Sequence, residues 1–145
     1  MGMHADPIVE RALAVTRGLR SLASQLMERA YAKRSAGELT LDEFLVMEAR
    51  HQEILNQANA AIYEVTERLA AIAEEFSQVE QASKELERLQ GILTTVSEVL
   101  AISAQLLLAT SALALLCLDP NPGTVAATAS ALYEVGRTIR DAAAR

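Results

Sequence analysis

Between Glu98 and Asp119, twenty consecutive residues, Val99 to Leu118, carry no charged side chain. A helix of that length measures roughly 30 Å, matching the ~30 Å hydrocarbon core of a bilayer. A helix that is apolar all round must be covered, so the fold has to hide this segment under other helices or under lipid. The run reads VLAISAQLLLATSALALLCL, with Gln105 its most polar member. Leu100, Leu106, Leu107, Leu113 and Leu116 are its expected anchors. Ala101, Ser103, Ala104, Ala109, Ser111, Ala112 and Ala114 are small enough to let another helix approach closely. The segment Thr124 to Leu132 is also uncharged, so the two stretches read as an apolar helical pair.

The rest of the chain supplies helices to pack against that pair. Asp6-Pro7 reads as an N-cap followed by proline at the first helical position. Ile8, Ala12, Val15, Leu19, Leu22, Leu26 and Ala30 then recur in steps of three and four, predicting a helix over about 7–35. Gly37 suits its left-handed terminus. Thr40 and Glu43 form a capping box, flanked by Leu39 and Phe44 at staple spacing. From Leu41 an apolar heptad repeat reaches Leu93, with a seam through Leu55, Ile62, Val65, Leu69, Ile72, Phe76, Val79 and Leu86. Its unbroken register favours one long helix over about 41–90, continuing or kinking into 92–118, although Ser77 with Glu80 also offers a restart. Asp119-Pro120-Asn121-Pro122-Gly123 ends the apolar helix, and a last helix is expected over about 122–143. The fold class is therefore all-α: a single domain over 1–145, an elongated antiparallel helical bundle or coiled-coil hairpin with an apolar C-terminal helical pair.

Charge distribution argues for the hairpin. Residues 1–34 carry a net +3 and residues 41–98 a net −8 within a chain of −6 overall. Adjacent helices of opposite sign attract each other, so the first two should fold back on one another. A basic helix with an acidic neighbour, and without aromatic or glycine-rich elements, does not suggest nucleic-acid binding. The single cysteine, Cys117, lies inside the apolar run and has no partner for an intramolecular disulfide, which fits a reducing compartment. No cleavable secretory signal is apparent. The expected location is the cytoplasm; the alternative is a membrane-associated protein, or one secreted without a cleavable signal.

One constellation has the look of chemistry. Glu48 and His51, at i and i+3, replace apolar residues at consecutive seam positions, and a fold-back brings Glu28 level with Glu48. A Glu plus a Glu-x-x-His is half of the ligand set of di-iron carboxylate bundles. The competing and preferred interpretation is a polar layer that fixes helix register, with Arg29 and Lys33 forming ion pairs there. Glu64 and Glu67, a second acidic pair, read as a solvated face. Cys117 has no activating base or cation beside it, and the serines and threonines lack a His-Asp context.

The pattern supports no enzyme and no cofactor. It fits a non-catalytic, self-associating helical interaction or assembly protein (scaffold, secretion-associated or immunity-type) that forms a homo-oligomer and binds a protein partner of unspecified identity. The alternatives are a membrane-inserting or pore-forming protein using residues 99–118 and 124–132, and a dimeric metal-binding bundle centred on Glu28, Glu48 and His51.

Overall fold

The computed structural model of the chain describes residues 7–65, 67–93 and 98–143. The regular elements among them are α1 (Pro7–Ser35), α2 (Leu41–Glu64), a 3-10 segment (Glu67–Ile72), α3 (Ser77–Arg88), α4 (Gln90–Leu93), α5 (Val99–Leu118) and α6 (Pro122–Ala143). No strand occurs among the described residues, and the fold is all-α. Asp6, the expected N-cap of α1, lies outside the described residues.

The helix ends follow local chemistry. In α1 all seven residues of the expected stripe, Ile8 to Ala30, are buried. The helix closes on a Schellman motif: the Glu38 amide donates to the Lys33 carbonyl at 2.9 Å and the Gly37 amide to that of Arg34 at 3.1 Å. Gly37 has φ +76°, where a side chain would be strained. At the start of α2 both halves of the capping box are made, Glu43 N–H to Thr40 Oγ1 at 3.1 Å and Thr40 N–H to Glu43 Oε1 at 2.9 Å. The staple residues Leu39 and Phe44 both join the core. At the start of α6, Asn121 Oδ1 accepts from the Thr124 amide at 2.9 Å, and Thr124 Oγ1 accepts from the Asn121 amide at 3.1 Å.

The single long helix over 41–90 does not form. α2 ends at Glu64, Val65 turns to φ −61° and ψ 125°, and a helix resumes only at Ser77. The reason lies in the phase of the seam. In α2 the buried line is Met47, Ile54, Ala58 and Ala61: Ala58 keeps its expected seam position, while burial at the other seam positions, 48, 55 and 62, moves to the residue before each. Leu41 is 54 % exposed, and Leu55, Ile62 and Val65 are only partly buried. Beyond the break Leu69, Ile72, Phe76, Val79 and Leu86 are all buried, as the heptad spacing predicts. The buried side thus changes across the break, and the chain leaves the helix, passes through the 3-10 segment and re-enters with different neighbours. Ser77 does start α3, but its hydroxyl donates to the Glu74 carbonyl at 2.8 Å instead of capping the new helix.

Breaking the helix lets each half choose its own neighbours. α2 packs on α1 and α5, whereas α3 packs on α6 and α1. Near the 36–40 turn the Tyr31 and Phe44 rings meet edge to face, 5.0 Å apart. Farther along, Leu55 of α2 lies beside Arg17 and Arg20 of α1, so the first two helices run antiparallel, as expected. α2 and α5 run in the same direction: Arg50 Nη1 donates to the Leu100 carbonyl at 2.7 Å, and Arg68, just past α2, reaches the Leu118 carbonyl at 3.2 Å. α5 thus sits between α2 and α6 with α1 across its inner side. The accessible area is 7490 Å², close to the roughly 7,300 Å² expected of a compact monomer of this mass. The seam is cut in two, and its halves pack on different sets of helices.

Candidate interaction surface

The apolar helix is covered on one side only. Val99, Ile102, Leu106, Ala109, Leu113, Leu116 and Cys117 are buried, and the hydroxyls on that side are satisfied within the helix, as with Thr110 Oγ1 to the Leu106 carbonyl at 2.7 Å. Leu100 and Leu107 are partly buried against the core. On the outer side Leu108 is 61 % exposed, Leu115 53 % and Leu118 51 %. Ala101 is exposed beside them, while Ala104 and Ser111 are half-buried. These six positions, 101, 104, 108, 111, 115 and 118, alternate steps of three and four and form one straight ridge.

A groove of about 320 Å³ runs along this ridge where α2 flanks it, lined by Gln57, Ala60 and Glu64 of α2 and by Ser111, Leu115 and Leu118 of α5. At the same end Tyr63 is 88 % exposed. On the other flank α6 carries exposed Ala126, Ala127, Ser130 and Tyr133 with no charge among them. The strip therefore has leucine crests, small-residue troughs and margins of amide and aromatic groups with one carboxylate, Glu64, beside the groove. The largest exposed apolar patch on a protein is often a contact site, which makes this strip the candidate.

Of the leucines expected as anchors, Leu106, Leu113 and Leu116 are fully buried and belong to this chain's own core. The outward-facing set, Leu108, Leu115 and Leu118, escaped sequence reasoning. A helix uncharged on every side gives no amphipathic signal by which to choose a face. The available clue was subtler: small residues and leucines segregate along one heptad line.

The chemical constellation does not assemble. Glu28 and Glu48 are both exposed, because the one-residue phase shift of α2 turns position 48 to solvent. His51 is half-buried among Leu26, Met27, Met47 and Ile54, and its Nε2 has no hydrogen-bond partner. Among the described residues no group of three or more His, Cys, Asp or Glu could hold a metal ion. Lys33, one of the two bases expected to pair in the polar layer, pairs with Glu38 in the turn at 3.6 Å, and farther along α1 Arg11 pairs with Glu80 of α3. Glu43, drawn into the capping box by hydrogen bonds with Thr40, has its carboxyl held below the usual glutamate range. Burial pushes the Cys117 thiol up to about 11, with the charge of Glu64 adding to the effect; a thiol so protonated is a poor nucleophile.

Comparison with known protein families, with curated proteins and with solved structures finds no match to this chain.

Proposed function

We propose that the protein is a non-catalytic helical assembly factor that self-associates and binds a protein partner. The observation that carries this reading is the uncharged ridge on α5, with three leucines more than half exposed in one line; Leu41, Leu45 and Val46 at the start of α2 are exposed too, but there Asp42, Glu43 and Glu48 stand among them. A ridge of this kind costs solubility unless something covers it, and an oligomer covers it without any further component. Cytoplasmic location accords with a lone buried cysteine. The test is light scattering on protein purified without detergent. A mass of at least two chains per particle is expected, and a monodisperse monomer at tens of micromolar would sink the reading.

A second reading draws on one specific property. Val99–Leu118 has a mean hydropathy of 2.1 over a window that is half buried, long and apolar enough by length and composition to cross a membrane. The buried half argues for a core helix, since Leu106, Leu113 and Leu116 would have to leave the other helices before lipid could surround them. Recovery of the protein only in the membrane fraction, or dye leakage from liposomes on its addition, would favour insertion over assembly.

A further inference from the structure

We propose that the α5 ridge is covered by α5 of a second copy, packed antiparallel about a two-fold axis between positions 108 and 111; this rests on the self-associating reading above. The six ridge positions are Ala101, Ala104, Leu108, Ser111, Leu115 and Leu118. Placed against itself antiparallel, the ridge pairs 101 with 118, 104 with 115 and 108 with 111. Every layer then contains one leucine and one small residue. Each exposed leucine enters the trough left by an alanine or serine of the other copy, so the two helices stay evenly spaced along their whole length. Facing large and small residues is how closely packed helices interdigitate.

Parallel pairing fails on the same residues. It stacks Ala101 on Ala101 and Ala104 on Ala104 at one end, and Leu115 on Leu115 and Leu118 on Leu118 at the other. The helices would splay into a wedge, open at the alanine end. An isologous two-fold contact also requires a patch free of self-repulsion. The six ridge positions meet this despite the chain's net charge of −6, because none of them is ionised; the carboxylate that lines the adjoining groove, Glu64, lies on α2 to one side of the ridge. Size is sufficient too. α5 is about 30 Å long, and with α2 and α6 alongside at the usual ~8–10 Å spacing the face projects on the order of 600 Å². That approaches the roughly 800 Å² of accessible surface per partner in a stable dimer.

Two singly substituted proteins, Ala104→Cys and Leu115→Cys, test the register when treated with a short bismaleimide separately and mixed. In the proposed dimer 104 lies opposite 115 of the other copy, while two copies of either residue sit about 16 Å apart along the axis. Cross-linked dimer is expected from the mixture and not from either protein alone. The buried Cys117 should leave the wild-type control unlinked. Self-cross-linking of each single variant would establish parallel packing, overturning the proposal while leaving self-association intact. A dimer that yields no cross-link in the mixture also overturns it, and a monomer by light scattering overturns both. Ala104→Leu gives an independent check that does not need cysteine. It makes the face more apolar yet sets leucine against leucine, so dimerisation should weaken about tenfold. Unchanged or tighter association would instead mean a face that binds by greasiness alone, as toward lipid, and would refute the fitted register.

Discussion

Cys117 shows how far a side chain's chemistry follows from where the helix places it. The thiol is fully buried on the inner side of α5, and desolvation lifts it to about 11 from an ordinary 9.0. The native state therefore holds this proton more tightly than the unfolded chain does. The resulting contribution is complete below pH 9 and is lost as pH climbs from about 9 to about 11. Urea melts between pH 8 and 11 should show stability falling across that window, with Cys117→Ala flattening the decline; parallel declines in both proteins would mean that the thiol is not responsible. At this scale much was legible beforehand. The Thr40–Glu43 box and the glycine at position 37 act over a few residues, so no tertiary information was needed to place them. His51 and Glu48 were different, since whether they face inward depends on the phase of a whole helix.

Among elements, the break between Val65 and Ser77 decides the fold, and Arg11 is what holds it from outside. The guanidinium reaches from α1 across to the turn that leads into α3. Its Nε donates to Glu80 Oε1 at 2.9 Å and its Nη2 to the Ala73 carbonyl at 3.1 Å, while the group sits 5.7 Å from the Phe76 ring centre. One residue thereby ties down the carbonyl freed by the lost helical ladder, the first turn of α3 and its core aromatic. Charged hydrogen bonds of this kind contribute about 1.5–3 kcal/mol, less here because a third of the Arg11 side chain is exposed. Arg11→Met should cost about 1 kcal/mol in urea denaturation, and a cycle with Glu80→Gln should show the two changes to be coupled. Strict additivity would mean that the turn is held by Phe76 burial alone. The heptad repeat hid this break. Its spacing is satisfied on both sides of residue 65, and only the neighbours available to each half reveal that the two halves need different faces inward.

For the whole molecule, the question is which side of α5 belongs to this chain and which to something else. Composition established that the segment needs covering, and it placed the turn at 119–123; neither could assign faces to a helix with no polar side. The folded chain divides them, and two substitutions of identical chemistry expose the division. Leu113 is 0 % exposed, so Leu113→Glu places an unpaired charge in the core at a cost of several kcal/mol and should abolish cooperative folding. Leu108 is 61 % exposed, so Leu108→Glu should leave the monomer's helical signal intact and its stability within about 0.5 kcal/mol, as is usual for surface changes. What Leu108→Glu should destroy is association. In the antiparallel register the two substituted positions sit near the two-fold axis, so a dimer would carry two carboxylates at the centre of its apolar contact. Light scattering and circular dichroism on both variants separate the outcomes: unfolded for Leu113→Glu, folded and monomeric for Leu108→Glu. Should Leu108→Glu remain fully assembled, the exposed leucines take no part in self-association, and the ridge serves another occupant.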